Sequence, residues 1–488
     1  MNNKKIYKDS IIYFSGSIAV AILGFIVSLL YSYLFTPEEY GIHSLAASTY
    51  MLLSQFFGLW LSTGILRFHE KYKNENKSDI FYSSIYITQF VISLIFVFLL
   101  NVGAWCISKE LLFKEIFFIY SIIYFFEYNI LVFNTYLRCN LSVKKYNLNI
   151  MANNALKIIV LLVMIIVFRM KSVIIISISI LVTEAIQFFY FLVKYKLYRH
   201  YNIEKFNYNI MKKTYVYAFP LIGTTITSWI LNVSDRYIIK ILGNSHDVGL
   251  YSYAYLLGNN LFWLLANFIM LGAYPNFVKL FEKNEIENLK QLFKKYINMY
   301  CLMIFPCCFG VIAISKLLFT IITSEMYHES YGVFIYTGIG ISVLGLCQFI
   351  NKIFELYRKT KIILVLNVIC AVFNIIFNII FIYEWGYIGG AISTMLSYIL
   401  YFVLALIISR KYLSIPWDYK NIAKYFFGSV IMYVIIVIAQ HFLKFNSNII
   451  NLIVYVFIGM LTYFIVLVLC GGINKNSIKD ILKIIKRD

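Results

Sequence analysis

Fourteen stretches of about twenty mostly apolar residues run through this chain, and each is long enough to cross a bilayer core of about 30 Å as one helix. They are Ser10–Phe35, Ile42–Leu66, Ile80–Leu100, Ile116–Leu137, Ile150–Phe168, Val173–Val193, Tyr215–Leu242, Leu250–Tyr274, Tyr296–Ser315, Val333–Ile353, Ile362–Tyr383, Ile388–Ser409, Ile422–His441 and Ile449–Cys470. Hydrocarbon offers no partner to an open backbone amide, so spans must be helices or strands of a closed barrel. Barrel strands alternate residue by residue, and these stretches do not. The chain is 61% hydrophobic and 14% charged, against roughly 45–50% and 25% in a globular domain, which points to lipid as the solvent. Lys4, Lys5 and Lys8 precede the first stretch as in a signal peptide. That stretch is too long for a signal h-region and no small-residue cleavage site follows, so it reads as the first span.

The connections divide the charge. With the N-terminus inside, alternate connections and the span ends that adjoin them carry 34 of the 43 Lys and Arg, the other connections and their span ends carry 7, and Lys157 and Arg236 lie deeper within spans. Cytoplasmic connections collect cations, so the alternation predicts both ends in the cytoplasm and checks the span count. It also accounts for the formal net charge of +20: the basic excess faces an anionic inner leaflet, and no nucleic-acid partner is expected. Membrane lipids are the expected surroundings. The inside connections Lys194–Thr214 and Pro275–Lys295, and the tail with Ile478, Ile481, Leu482 and Ile485, carry amphipathic patterns that predict helices lying on the inner face.

Glu39-Tyr40-Gly41-Ile42-His43-Ser44-Leu45-Ala46 opens span two, and Asp247-Val248-Gly249-Leu250-Tyr251-Ser252-Tyr253-Ala254 opens span eight. Six spans separate them, an even number, so the repeat is parallel. Such repeats bracket a central path and move as rigid bodies in alternating access. The expected fold is an all-α polytopic membrane protein with two six-helix bundles related by a parallel repeat, plus two extra C-terminal helices. The expected divisions are residues 1–200 for the first bundle, 201–213 for a cytoplasmic linker with an interfacial helix, 214–411 for the second bundle, 412–472 for spans thirteen and fourteen, and 473–488 for the amphipathic tail.

Enzyme signatures are missing. There is no G-x-x-x-x-G-K-[ST] loop for ATP and no H-E-x-x-H. The six histidines are scattered, so no metal site is expected. The eight cysteines form no C-x-x-C pair and read as small buried apolar residues. Glu38 and Glu39 read as a solvated turn that starts a helix, because the loop Thr36–Gly41 has no outside domain to hold a sugar.

Ionisable groups at bilayer depth are costly and mark candidate sites. Glu127 and Glu184 sit mid-span in spans four and six, where a carboxyl could take up a proton or Na⁺; hydrogen bonding between helices explains them equally well. Lys157 lies about two turns into span five and could neutralise one of them. Asp235 and Arg236 lie toward the outer end of span seven, where an interfacial pair is the alternative reading. Arg67 closes span two on the inner side, where reaching out to headgroups is the alternative. Asn367, Asn374 and Asn378 share one face of span eleven, and Asn260 and Asn267 one face of span eight; interhelical bonding accounts for them as well as a ligand does. An interior of cations and amides among aromatic rings suits a ligand with phosphates and hydroxyls.

Leu34-Phe35-Thr36-Pro37-Glu38-Glu39-Tyr40-Gly41 through Ala46, with Gly64 and Arg67, resembles the first hairpin of bacterial polysaccharide flippases. Asp235-Arg236-Tyr237-Ile238-Ile239, then Gly243 and Val248 through Ala254, resembles the same family's seventh and eighth helices. Trp385-Gly386-Tyr387-Ile388-Gly389-Gly390-Ala391 resembles its turn into helix twelve. The family is the Wzx-type oligosaccharide flippases (O-antigen and capsule), of the superfamily that also holds MATE drug exporters and lipid II flippases. The resemblance implies transport of an undecaprenyl-diphosphate-linked oligosaccharide to the outer leaflet of the bacterial inner membrane, by alternating access driven by an H⁺ or Na⁺ gradient and without a bound cofactor. It implies polysaccharide polymerase and chain-length proteins as partners. Arg67, Asp235 and Arg236 fall on its motifs. Together with the burial reasoning, the expected substrate-binding residues are Arg67, Arg236, Lys157, Asn260 and Asn374, and the expected ion-coupling residues are Glu127, Glu184 and Asp235. A cation-coupled drug exporter, a lipid II flippase and a membrane polysaccharide polymerase are the competing readings; the short outside loops weigh against the polymerase.

Overall fold

A computed structural model of the protein describes residues 24–107, 109–140 and 143–472. Among these, every regular element is helical. The first half of span one and the expected amphipathic tail lie outside the described residues.

Helix α1 (Gly24–Leu34) is the described part of span one. The Thr36–Gly41 turn then starts α2 (Pro37–Asn74) with a capping box. The Thr36 hydroxyl accepts from Glu39 N at 3.3 Å, and Glu39 Oε2 accepts from Thr36 N at 3.0 Å, with Pro37 in the first turn where no amide is needed. The acidic pair thus serves the helix start. The chain continues through α3 (Ser78–Ile107), α4 (Leu111–Cys139), α5 (Val143–Ile166), α6 (Ile174–Lys194), α7 (Tyr208–Leu242), α8 (Ser245–Glu282) and α9 (Ile286–Ile322). It ends in α10 (Tyr331–Leu356), α11 (Thr360–Ser409), α12 (Tyr419–Phe442) and α13 (Asn448–Leu469). Eleven of the described helical segments are long and apolar enough to cross a membrane. One of them, α11, holds two expected spans, because its backbone leaves the helix at Trp385 and at Gly386, whose φ of 59° suits glycine. With α7 and α1, the described helices fall on all fourteen expected spans.

The outward faces suit lipid. On α13 the buried residues are Asn451, Tyr455, Gly459 and Leu467, a single stripe, while Ile453, Phe457, Met460 and Phe464 are exposed. Hydroxyls inside the helices bond back to their own carbonyls, as Ser84 does to Ile80, Thr135 to Leu131 and Ser397 to Ser393.

The chain forms two compact units, residues 1–249 and 250–488. This packing division falls later than the expected linker, because α7 packs along α2 within the first unit: Tyr215 meets Trp60 edge to face at 5.4 Å, and Trp229 donates to the Ser48 carbonyl at 3.0 Å. The connection Lys194–Thr214 holds two short 3-10 turns, Leu197–His200 and Ile203–Lys205, before α7 begins at Tyr208. It is tied down by side chains: Tyr201 donates to Asn129 Oδ1 at 2.8 Å and Asn207 N to Ser84 Oγ at 2.9 Å. The amphipathic pattern of Pro275–Lys295 has a different outcome from the surface helix expected. It belongs to the start of α9, whose Leu289, Phe293 and Ile297 are buried, and Phe293 stacks on Phe277 of α8 at 3.9 Å. In the second unit α9 also packs on α10 and α12, α12 on α13, and α10 on α11.

The repeat octets meet at their own glycines. A Cβ on Gly41 would strike the Ser245 carbonyl, and one on Gly249 would strike the Pro37 carbonyl, so the starts of α2 and α8 touch backbone to backbone. Gly249→Ala gains about 1 kcal/mol of helix propensity but forces this crossing apart at about 3 kcal/mol, the upper end of the overpacking range, because the atoms struck are backbone. Thermal unfolding in detergent should show a melting temperature at least ~2 °C lower for Gly249→Ala. Gly103→Ala, with nothing near its added carbon, should melt no lower than the parent; equal melting of both variants would refute the tight crossing.

Candidate functional site

Three ionisable side chains of the first unit, Glu127 on α4, Lys157 on α5 and Glu184 on α6, interact with one another. Lys157 Nζ is 2.7 Å from Glu184 Oε1, and the Glu184 side chain is only 4% exposed against 30% for Lys157. Of the two roles open to Lys157, neutralising a buried acid is therefore the one it performs in this structure. Glu127 is held differently: the Tyr50 hydroxyl on α2 donates to its Oε2 at 2.5 Å. Tyr50 stacks on Tyr120 with centroids 4.8 Å apart, and the Tyr120 hydroxyl is 3.2 Å from His43 Nε2. Lys157 and Glu184 act electrostatically on Glu127, so the three form one system. With every group ionised, two carboxylates face one ammonium. One negative charge is left over, and one proton or one monovalent cation cancels it, which matters where an unpaired charge costs several kcal/mol.

A second cluster joins α2 to α7. Arg236 Nη1 donates to Ser48 Oγ at 2.7 Å, and Tyr237 OH lies 2.7 Å from Thr49 Oγ1. Asp235 is buried, and its Oδ1 accepts the Arg236 backbone N–H at 2.8 Å. Arg67 is exposed, 5.7 Å over the Tyr217 ring. Ser48 and Arg67 share α2, and nineteen residues of helix place them about 28 Å apart. The two arginines thus mark opposite ends of the α2–α7 face.

The asparagines belong to the second unit. Asn260 is half-buried on α8. Asn374 is fully buried; its Nδ2 donates to Thr394 Oγ1 at 3.3 Å, its Oδ1 accepts from Asn378 Nδ2 at 2.9 Å, and its carbonyl accepts from Ser393 Oγ at 3.1 Å. It ties together the two spans of α11 across the Trp385–Gly386 break. Among the described residues no three His, Cys, Asp or Glu side chains gather as metal ligands.

Sequence reasoning missed Tyr50 and Ser48, the side chains that hold Glu127 and Arg236. Their only signal is position, within four residues after the first repeat octet on the same helix.

Apolar spans with charges paired between them define a multi-pass membrane protein. A family model described as "Polysaccharide biosynthesis protein" matches residues 6–281, and a second, MatE, matches residues 220–380. The chain belongs to the polysaccharide biosynthesis protein family, within the MOP superfamily of membrane transporters. No protein of curated function matches it in sequence. Among solved structures, the chain is similar to the lipid II flippase MurJ in an inward closed conformation, with a TM-score of 0.76 and 20% identity over 93% of this chain and 98% of that one. It is also similar to an inward-facing multidrug resistance MATE family transporter of the MOP superfamily, with a TM-score of 0.62 and 14% identity over 80% and 94%. A MOP superfamily transporter from Pyrococcus furiosus gives a TM-score of 0.53 and 13% identity over 82% and 94%. At these identities the likeness is one of fold.

Removing one partner of a buried ion pair strands the other charge at a cost of about 3–5 kcal/mol, whereas apolar replacement of both is close to neutral. Lys157→Met and Glu184→Met should each lower the melting temperature of the purified protein sharply, and the double variant should recover most of the loss. Additive losses in the double variant would show that the two side chains do not pair.

Proposed function

We propose that this chain is a flippase of the bacterial cytoplasmic membrane, with both ends in the cytoplasm. It carries undecaprenyl-diphosphate-linked oligosaccharide from the inner to the outer leaflet by ion-coupled alternating access, for O-antigen or capsule synthesis. The observation that carries this reading is the family match over residues 6–281. A sugar diphosphate cannot enter hydrocarbon unpaired, at several kcal/mol for each polar group. A groove of cations, hydroxyls and amides gives the head its partners, while the prenyl tail stays in lipid.

In this reading Arg67 and Arg236 take the diphosphate, since a guanidinium fork binds oxygens in pairs, at successive stages along the α2–α7 face. Asn260 and Asn374 supply amides to the sugars, Asn374 once it leaves Thr394. Lys157 joins the substrate when it leaves Glu184. Glu127, Glu184 and Asp235 couple the cycle to H⁺ or Na⁺, and the one surplus negative charge of the Glu127–Lys157–Glu184 system sets the count at one cation per cycle. The flipped unit passes to polysaccharide polymerase and chain-length proteins. The MatE match over residues 220–380 favours a second reading, cation-coupled drug export, and the fold shared with a lipid II flippase a third.

Proteoliposomes loaded with a fluorescent undecaprenyl-diphosphate oligosaccharide, with an imposed proton or Na⁺ gradient, separate these readings. The chain should speed leaflet exchange of that lipid and leave ethidium efflux unchanged. Arg236→Ala should slow exchange at least ~10-fold, the loss of one charge-assisted contact of about 1.5–3 kcal/mol, with Arg236→Lys in between. Glu127→Gln should abolish the gradient dependence. Efflux of ethidium without lipid exchange would establish the exporter, and exchange of lipid II alone the third reading.

A further inference from the structure

Between the start of α5 and the end of α6 lies a cavity of about 530 Å³ that the transport reading does not use. Lys145 and Asn149 line it from α5, and Gln187, Tyr190 and Lys194 from α6; no acidic residue is among its lining. Its polar groups are ordered with one donor to spare. Asn153 Nδ2 donates to Gln187 Oε1, and Gln187 Nε2 donates to the Asn149 carbonyl at 3.1 Å. Asn149 Nδ2 itself is enclosed and has no hydrogen-bond partner. Lys194 donates to the Tyr190 hydroxyl and lies 4.7 Å over its ring, which holds the ammonium at the cavity edge. Among the described residues, two cations and an idle amide donor therefore line one cavity that no acidic side chain lines.

The rest of the cavity is apolar. Leu148, Leu156 and Ile186 complete the lining, and Leu148 and Ile186 are both about half exposed, on the face where lipid chains run. Helix α5 is the least buried of the apolar spans, packing chiefly along α6. A polar, basic foot under an open apolar slot has the shape and charge order of a phospholipid. It opens at the ends of α5 and α6 that adjoin lysine-rich connections, on the face where anionic lipids gather; basic pockets between spans on that side bind lipid headgroups.

We propose that this cavity is a binding site for one anionic glycerophospholipid. The phosphate oxygens accept from Asn149 Nδ2 and from the Lys145 and Lys194 ammonium groups, and the acyl chains lie along Leu148 and Ile186. The site is independent of the transported substrate.

Native mass spectrometry of the full chain in detergent tests this with two probes of identical acyl chains, dioleoylphosphatidylglycerol and dioleoylphosphatidylcholine. The phosphatidylglycerol adduct should be retained at least ~3-fold more than the phosphatidylcholine adduct, an advantage of about 0.65 kcal/mol or more. Lys145→Ala with Lys194→Ala should erase that preference, whereas Lys279→Ala with Lys283→Ala, on another basic connection, should keep it. Asn149→Asp should also erase it by setting a carboxylate against the phosphate, and it serves as the reading if the double variant aggregates. Equal retention of the two lipids, loss of preference with the Lys279 and Lys283 control, or displacement of the adduct by millimolar inorganic phosphate would overturn the proposal.

Discussion

Hydrocarbon supplies no hydrogen-bond partner, and that constraint organises the protein from the backbone outward. It forces the spans to be helical, turns the hydroxyls of Ser84, Thr135 and Ser397 onto their own helices, and requires that each deep charge be met by a designed neighbour. Lys157 meets Glu184, Tyr50 meets Glu127, and Ser48 meets Arg236. These pairings draw α2, α4, α5, α6 and α7 together, so the same contacts that stabilise the first unit also define its candidate site.

A site built this way is poised for change. Pairing in low dielectric is strong but conditional, because a carboxylate that gains a proton or a cation no longer needs its lysine. The surplus charge shared by Glu127, Lys157 and Glu184 is one that a single proton or monovalent cation would cancel. The backbone contact at Gly41 and Gly249 gives the starts of α2 and α8 a thin crossing at which few side chains need repacking.

Much of the architecture was legible in the sequence because lipid imposes simple rules. Span lengths and the motif Trp385–Gly386 each have one strong physical cause, and the helices follow them. The Thr36–Glu39 turn was readable too, since a capping box is a local signal. Pairings across distance were not: Tyr50 and Glu127 are 77 positions apart, and Ser48 and Arg236 are 188. No periodicity within either helix names the partner. The pattern in Pro275–Lys295 misled for a related reason, because an apolar stripe looks the same whether it meets lipid or, as Phe293 does, a ring on α8.

The proposed passage from the inner to the outer leaflet depends on which connections face the cytoplasm. Single cysteines placed in a cysteine-free background and treated with a membrane-impermeant maleimide in intact cells measure that directly. The account predicts labelling at Lys171 and Lys316, in the sparsely charged connections, and none at Lys77 or Lys283 until the membrane is opened. Labelling of Lys77 and Lys283 in intact cells, with Lys171 and Lys316 protected, would contradict it.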